Sequence, residues 1–554
     1  TFQREGVKMW AVQSLSKVLL FLALVIGPQL TWQLSLPTDP TYQAGVVEFM
    51  PGVGKGKAKV HEALKRMKEV IESNGTRDLD ILVFPEFVLN DYTFRTFVPD
   101  PTLQIAPCEI PNYDYFLTEL SCAARARQLY LVVNLLEKVF CANDTTTVGR
   151  CDTSGLNTYN TNVVFDRHGR VVSRYRKTHL YRYEWYDVNV LPQAELATFT
   201  TDFGVTFGHF ICFDMLYWDP AEVLIKERGI TDIIYPTYWF NELPFLTAVQ
   251  LQEGWAFAND VNLLAADASK PSGQNSGSGI YAGRLGRLTA ANNEEPNTKL
   301  LTASVPKRAY RQNYQPPPVI QPIFVPEITT PRFTKLNMLR DYNVDIFKTQ
   351  LLSADFTTVD ETLCYDSQFC CHFQATRSVL STANTYAAYR YRLAAYSGSR
   401  VTHQRVDPAA LKVCAVIACT TADLYSCGRI FPEGVSVGNT YYFNTLNVSA
   451  SFPHAPRRLI MPTSADGNIM PLPVHTYEWQ EFESNNTTAI SISLNYPKLD
   501  ILTFGIWGNY YTTEVSTHNF DPVWQPAQGS SGASKQFGVK FVMVSLLLAF
   551  IKFF

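Results

Sequence analysis

Neither sign of charge accumulates along this chain of 554 residues. Its 47 basic side chains stand against 50 acidic ones, the net charge is −3, and no long run of either sign occurs. That excludes the basic footprint a nucleic-acid binder normally carries. Apolar runs are short as well: residues 18–26 (VLLFLALVI) fall well below the ~20 needed to span a bilayer as a helix. The nine histidines include no HExxH, and the cysteine spacings lack the paired CxxC blocks of a zinc ribbon. No metal and no cofactor is expected. No internal repeat is visible.

What is present describes a globular protein bound for the outside of the cell. Hydrophobic residues make up 46% and charged residues 18% of the chain, so packed cores are expected rather than disorder. The length predicts two or three domains. Met9, Lys17, the apolar run 18–26 and polar chain after it have the layout of a secretory signal peptide, assigned with the preceding residues to 1–34. Near the other end, the small residues Gly529, Ser530, Ser531 and Gly532, a spacer, and the apolar tail 541–554 have the layout of a glycosylphosphatidylinositol attachment signal over 526–554. Lys552 is out of place in such a tail. Asn-x-Ser/Thr sequons at Asn74, Asn143, Asn447, Asn485 and Asn486 are candidate glycan sites. The chain is thus expected at the cell surface on a lipid anchor, or secreted.

In such a compartment cysteines pair. Eleven is an odd number: Cys108, Cys122, Cys141 and Cys151 form one group and Cys364, Cys370, Cys371, Cys414, Cys419 and Cys427 another, which leaves Cys212. An unpaired cysteine in a secreted protein is a buried bystander or a nucleophile.

The apolar pattern divides the chain. Over 35–310 it alternates in the α/β manner, with Val60, Ala63, Leu64, Met67, Val70 and Ile71 at helical spacing and short apolar strands at 81–84, 129–136, 205–211 and 231–235. A hairpin is expected around Asp166-Arg167-His168-Gly169, and a helix from Asp219-Pro220 through Arg228. The proline-rich stretch 311–331 reads as a linker. Beyond it, 332–525 is rich in aromatic and β-branched residues and is expected to form a smaller β-rich domain carrying up to three disulfides.

Glu86, Lys177 and Cys212 each follow an expected strand, the position where active groups collect in open α/β sheets. A thiol, a carboxylate and an ammonium suit attack on a carboxamide: the sulfur as nucleophile, the carboxylate moving the proton, the ammonium facing the oxyanion. Each residue also has an inert reading, as a turn glutamate, a surface cation beside Arg174 and Arg176, and a core thiol. The residue types alone do not choose. A G-x-S-x-G match at 434–438 lacks the strand before and helix after that a serine nucleophile requires.

Phe84-Pro85-Glu86, Tyr175-Arg176-Lys177-Thr178-His179-Leu180 and Cys212-Phe213-Asp214 resemble, in order, the three signature blocks of the nitrilase superfamily. Residues 207–221 (FGHFICFDMLYWDPA), 235–241 (YPTYWFN), 277–281 (GSGIY), Cys370-Cys371-His372 and Cys427-Gly428-Arg429 narrow the resemblance to the vanin–biotinidase family, over about 40–525. It implies a four-layer α-β-β-α sandwich followed by the β-rich domain. It also implies Glu86 as general base, Lys177 as oxyanion stabiliser, Cys212 as nucleophile and Glu184 as a glutamate orienting the lysine. The implied activity is hydrolysis of a linear amide, pantetheine-like or biocytin-like. Phe87 departs from the acidic residue that vertebrate members tend to carry there. An inactive surface protein acting in adhesion or ligand binding, an amidase for an unrelated amide, and acyl transfer to an amine are the alternatives. Oligomeric state is not legible.

Overall fold

The structure, a computed structural model, describes residues 34–143, 151–181, 184–314, 328–329, 335–379, 387–402, 405–438 and 441–511. The leader, the anchor-signal residues Gly529, Ser530, Ser531 and Gly532, and the side chain of Asn143 lie outside these. Asn74, Asn485 and Asn486 are exposed, whereas Asn447 is half-buried on a central strand.

Among the described residues the first part holds thirteen strands. β1 (Thr41–Glu48), β2 (Ile81–Val83), β3 (Tyr130–Phe140), β4 (Leu156–Phe165) and β5 (Val171–Arg176) come first. β6 (Thr198–Thr200), β7 (Thr206–His209), β8 (Asp232–Thr237), β9 (Glu242–Leu243) and β10 (Asn262–Asp267) follow. β11 (Ser278–Ala282), β12 (Arg287–Ala291) and β13 (Lys299–Pro306) complete the set. Its helices are α1 (Gly56–Ile71), α2 (Tyr115–Arg127), the single turns α3 (Glu184–Asp187) and α4 (Val223–Lys226), and α5 (Ala248–Asn259).

Two six-stranded sheets stack, in the orders β13-β1-β2-β3-β4-β5 and β12-β11-β10-β8-β7-β6. Side chains of successive strand residues point to opposite faces, so in β1 Val46 joins the core between the sheets while Val47 packs under the helices. Val46, Ile81 and Val132 of the first sheet meet Phe207, Ile234 and Leu264 of the second. On the outer face Val47, Leu82 and Leu131 meet Val60, Leu64 and Met67 of α1 and Phe116 and Leu120 of α2. Strands buried on both faces explain the near-continuous apolar runs in the sequence. The result is the expected four-layer sandwich.

The helix expected from Asp219 through Arg228 is broken. A residue before proline is pushed out of the helical region, and Asp219 is extended (φ −94°, ψ 131°), which leaves only the short α4 beyond the turn Trp218–Glu222.

The second part, a β-sandwich with short flanking strands, begins with β14 (Ile328–Thr329), β15 (Leu339–Arg340), β16 (Lys348–Leu351), β17 (Thr358–Tyr365), β18 (Phe369–Val379), β19 (Arg390–Thr402) and β20 (Arg405–Cys419). The later strands are β21 (Val437–Gly438), β22 (Tyr441–Pro453), β23 (Arg458–Asp466), β24 (Tyr477–Glu483), β25 (Thr487–Leu494) and β26 (Ile501–Tyr511). Its five-stranded sheets run β16-β19-β20-β26-β23 and β17-β18-β22-β25-β24. Within the proline-rich stretch, β14 pairs with β21. Ser436 of the G-x-S-x-G match is exposed just ahead of β21, and β22 follows, not a helix.

The two parts share a core. α5 is buried on nearly every side, as expected for a helix enclosed by two layers. It lies against β23 closely enough that a Cβ on Gly254 would meet the Pro462 carbonyl at 2.5 Å. Phe245 packs on Trp507, and Trp218 on Tyr511.

The cysteines pair within their groups, as Cys108–Cys122, Cys141–Cys151, Cys364–Cys370, Cys371–Cys414 and Cys419–Cys427. Cys212 is free and buried.

Candidate active site

Glu86, Lys177 and Cys212 all sit just past strand ends, after β2, β5 and β7. Glu86 follows Pro85, and its N–H donates to the Thr237 carbonyl at 3.3 Å, tying the end of β2 to β8 of the other sheet. Lys177 extends β5, with its N–H on the Asn160 carbonyl at 2.8 Å. Beyond β7, Cys212 adopts φ +48°, a left-handed conformation that costs a non-glycine residue about 1–3 kcal/mol and persists only where its surroundings impose it. Here they do. Asp214 Oδ2 accepts the Ile211 N–H at 3.1 Å, and the Tyr235 hydroxyl donates to the Cys212 carbonyl at 2.8 Å.

Lys177, 1% exposed, donates to Glu86 Oε1 and to Glu184 Oε2, each at 2.7 Å. An ammonium has three N–H donors, so one remains for another acceptor. Burial alone would lower the lysine, but Glu184 and Glu86 outweigh it and hold the ammonium charged well above the ordinary range. Burial, with help from Glu86, pushes Glu184 up against the pull of Lys177. The Cys212 thiol is also pushed well up, by burial first and then by the Glu86 charge. Lys177, the Thr237 hydroxyl and the Tyr238 N–H pull it back only in part. The thiol is therefore held toward its neutral form beside the Lys177 ammonium.

Several residues that complete this arrangement carry no role in the sequence reading. Asn160 donates to Glu86 Oε1 at 2.7 Å and to Glu184 Oε1 at 2.9 Å, bridging the two carboxylates. Asn134 in turn donates to Asn160 Oδ1 at 2.7 Å and accepts the Phe87 N–H at 2.9 Å. The Tyr238 N–H donates to Glu86 Oε2 at 2.9 Å. Beneath the cysteine turn, Asp214 accepts the Tyr175 hydroxyl and both the N–H and Nδ1 of His179, each at 2.8 Å. A signal for the asparagines does exist. Asn134 interrupts the apolar run LYLVVNLL, and Asn160 lies in the wholly buried middle of β4. A buried amide needs partners.

Phe87, at the departure from the family pattern, has φ +59° and packs near Tyr92 with ring centroids 6.2 Å apart. Tyr92 is about one-third exposed (37%) and faces Glu184, Asp187, Lys177 and Glu86, so it marks the open side of the site. The five residues Tyr181, Phe213, Tyr217, Tyr238 and Phe240 form a run of ring contacts beside it. No group of metal-ligating side chains occurs among the described residues.

Residues 45–312 match the carbon-nitrogen hydrolase family, and residues 336–514 match the vanin C-terminal domain. Vanin-like protein 1 of Drosophila melanogaster is 42% identical over 519 residues, which cover 91% of this chain and 91% of that protein. Pantetheinase of Canis lupus familiaris is 31% identical over 67% of this chain and 70% of its own length. Pantetheinase of Homo sapiens is 30% identical over 67% and 71% respectively.

Proposed function

The chain belongs to the vanin family of the nitrilase superfamily, carbon-nitrogen hydrolases that act on amides, and from that membership we propose that it cleaves a linear carboxamide through a thioester on Cys212. The observation that carries the reading is the Lys177 ammonium, held between Glu86 and Glu184 with one donor spare, beside an unpaired buried thiol. Because the thiol rests neutral, it must lose its proton in the step that uses it. Glu86 is the base for that transfer. The sulfur adds to the amide carbon, and the spare Lys177 N–H, with the Phe213 backbone N–H, faces the oxyanion. As the intermediate collapses the C–N bond breaks, and Glu86 returns its proton to the departing amine. Water then attacks the thioester with Glu86 again as base, which releases the carboxylic acid and restores the thiol. Glu184 and Asn160 hold the lysine and Glu86 in register.

The substrate we propose is pantetheine or a close analogue, cleaved to pantothenate and cysteamine, since relatives at 31% and 30% identity bear the name pantetheinase. Biotinyl amides such as biocytin join a vitamin-like acyl part to an amine in the same way and are the natural comparison. We place the protein outside the cell, on a lipid anchor or secreted; five disulfides suit that compartment. No helix among the described residues is long and apolar enough to cross a membrane.

The test offers purified protein a pantetheine conjugate and a biotinyl-amine conjugate side by side, with Cys212→Ala as control. Turnover of the pantetheine conjugate, lost in the variant, is the expected result. Equal turnover by Cys212→Ala rejects the thioester route, and preference for the biotinyl amide rejects the substrate. Phosphatidylinositol-specific phospholipase C should release detergent-solubilised cell-surface protein to the aqueous phase; retention with detergent rejects the anchor.

A further inference from the structure

Behind the site lie two buried carboxyl groups that the mechanism above does not use. Glu48 closes β1 and Asp267 closes β10, and both are fully buried. The strands touch here, with the Phe49 N–H donating to the Asp267 carbonyl at 3.1 Å. Among the described residues neither side chain forms an ion pair. The titratable and charged groups that face them are Glu86 beyond β2, Tyr235 of β8, Tyr238 beyond β8, the buried Tyr281 of β11, and the exposed Lys299 of β13, which lies opposite Glu48.

The two carboxyls are served differently. Glu48 accepts the hydroxyls of Ser276 and Ser278, both at 2.5 Å, and the Gly277 N–H lies 3.2 and 3.1 Å from its two oxygens. Asp267 is served on one oxygen only. Its Oδ1 accepts the Trp239 N–H at 2.9 Å and the Ala268 N–H at 2.7 Å, while Oδ2 is buried with no donor among the described residues. A buried ionised oxygen without a donor is far more costly than a neutral one, and where two buried carboxyls feel each other's charge one of them keeps its proton. The donor pattern puts the negative charge on Glu48 and the proton on Asp267 Oδ2. Burial and the Glu48 charge push Asp267 well above the carboxylate range, in keeping with that assignment, and Glu48 itself is raised to about 7.

Asp267 reaches the chemistry through one peptide unit. It holds the Trp239 N–H; the preceding N–H, of Tyr238, donates to Glu86 Oε2 and faces the Cys212 thiol. We infer that Asp267 is a positioning residue kept as a neutral acid, which fixes the Thr237–Tyr238–Trp239 turn against Glu86 and Cys212 without placing a second anion behind them. The inference rests on the roles proposed above for Glu86 and Cys212.

The test compares Asp267→Ala and Asp267→Asn in the full chain. Asp267→Ala removes the acceptor for the Trp239 N–H and should lower kcat by about tenfold to a hundredfold, with KM moved much less, as misplacement of a reacting group does. Asp267→Asn keeps an acceptor oxygen at the same place and cannot ionise, so it should recover most of that loss. Independently of turnover, the infrared spectrum of wild type minus Asp267→Asn at neutral pH should contain the carbonyl stretch of a protonated carboxyl. The same difference taken in a Cys212→Ala background should contain it too, so failure of the cysteine reading leaves this readout intact. A difference spectrum showing a carboxylate overturns the inference. So does folded Asp267→Ala with wild-type kcat, or Asp267→Asn no better than Asp267→Ala. If Asp267→Ala does not fold, the infrared difference still decides.

Discussion

Lys177→Gln removes the ammonium that Glu86 and Glu184 share at 2.7 Å each, where all three side chains are buried. Deleting one partner of a buried ion pair leaves an uncompensated charge and costs about 3–5 kcal/mol. Asn160 still donates to both carboxylates, and hydrogen bonds to charged groups contribute about 1.5–3 kcal/mol each, so the lower end of that range is expected. The sign with pH follows from Glu184, which burial and Glu86 already push up against the pull of the lysine. Without that pull it rises further. A carboxyl raised in the folded state weakens the fold wherever the unfolded chain has it ionised, above about pH 4.3. The stability gap between wild type and variant should therefore be larger at about pH 8 than at about pH 5, measured by urea unfolding at each. On the role proposed for Lys177, turnover should fall separately, by about 10²–10³ in kcat for a lost oxyanion donor. A kcat within tenfold of wild type, or a stability gap that narrows as pH rises, refutes the reasoning.

Because burial and Glu86 push the Cys212 thiol up, its alkylation by iodoacetamide should be selective but slow at neutral pH, and should still be accelerating above the ordinary thiol range of about 8.5. A rate that levels off at or below that range would show an activated resting thiolate instead. Replacing Cys371 and Cys414 together opens a link of sequence separation 43, worth about 4 kcal/mol by loop entropy. Denaturant unfolding should register most of that while kcat per folded molecule holds; an unchanged midpoint would place the stability of the second part elsewhere. Gly254→Ala should destabilise by about 1–3 kcal/mol through overpacking, because its Cβ would fall 2.5 Å from the Pro462 carbonyl. A neutral effect would mean that α5 and β23 are free to separate.

The layers of the first part were legible because their strands are buried on both faces and α1 carries one apolar stripe, Val60-Ala63-Leu64-Met67-Ile71. Both patterns survive in a bare sequence. Cys212 was legible by parity, since the ten other cysteines pair within the groups their spacing suggests. The three charged or nucleophilic residues stood out only through strand ends and resemblance, because burial of Lys177 cannot be read from a lysine among arginines. Asn160 and Asp267 were missed for a common reason. Each acts through a contact distant in sequence, Asn160 on Glu86 across 74 positions and Asp267 on Trp239 across 28, and periodicity reports only which face a residue occupies. The broken helix after Asp219 was a local error, since the proline that suggested a helix start also forbids helical backbone at the residue before it.

Among the described residues the hydrogen-bond partners of Glu86, Lys177 and Glu184 all lie in the first part, yet that part cannot be cut free of the second. α5 is enclosed on nearly every side, with Gln250 donating to Pro244 O at 3.0 Å within the first part and, across the boundary, to the Thr463 hydroxyl at 2.8 Å. A single hydrophobic cluster runs from Cys212, Phe213 and Trp218 through Phe245 and Trp255 to Trp507 and Tyr511. The turn that holds Cys212 in its left-handed backbone thus rests on the same core that the C-terminal sheet completes. Expressed alone, residues 35–310 would expose that face of α5 and of Trp218 to water and leave Gln250 without the Thr463 acceptor; at about 1.5–3 kcal/mol for each large apolar side chain uncovered, that is a large share of a domain stability of about 5–15 kcal/mol. The β-sandwich is in this sense part of what holds the thiol in place, and substitutions at Trp507 or Tyr511 should lower turnover through the Cys212 turn before they unfold the sandwich that carries them.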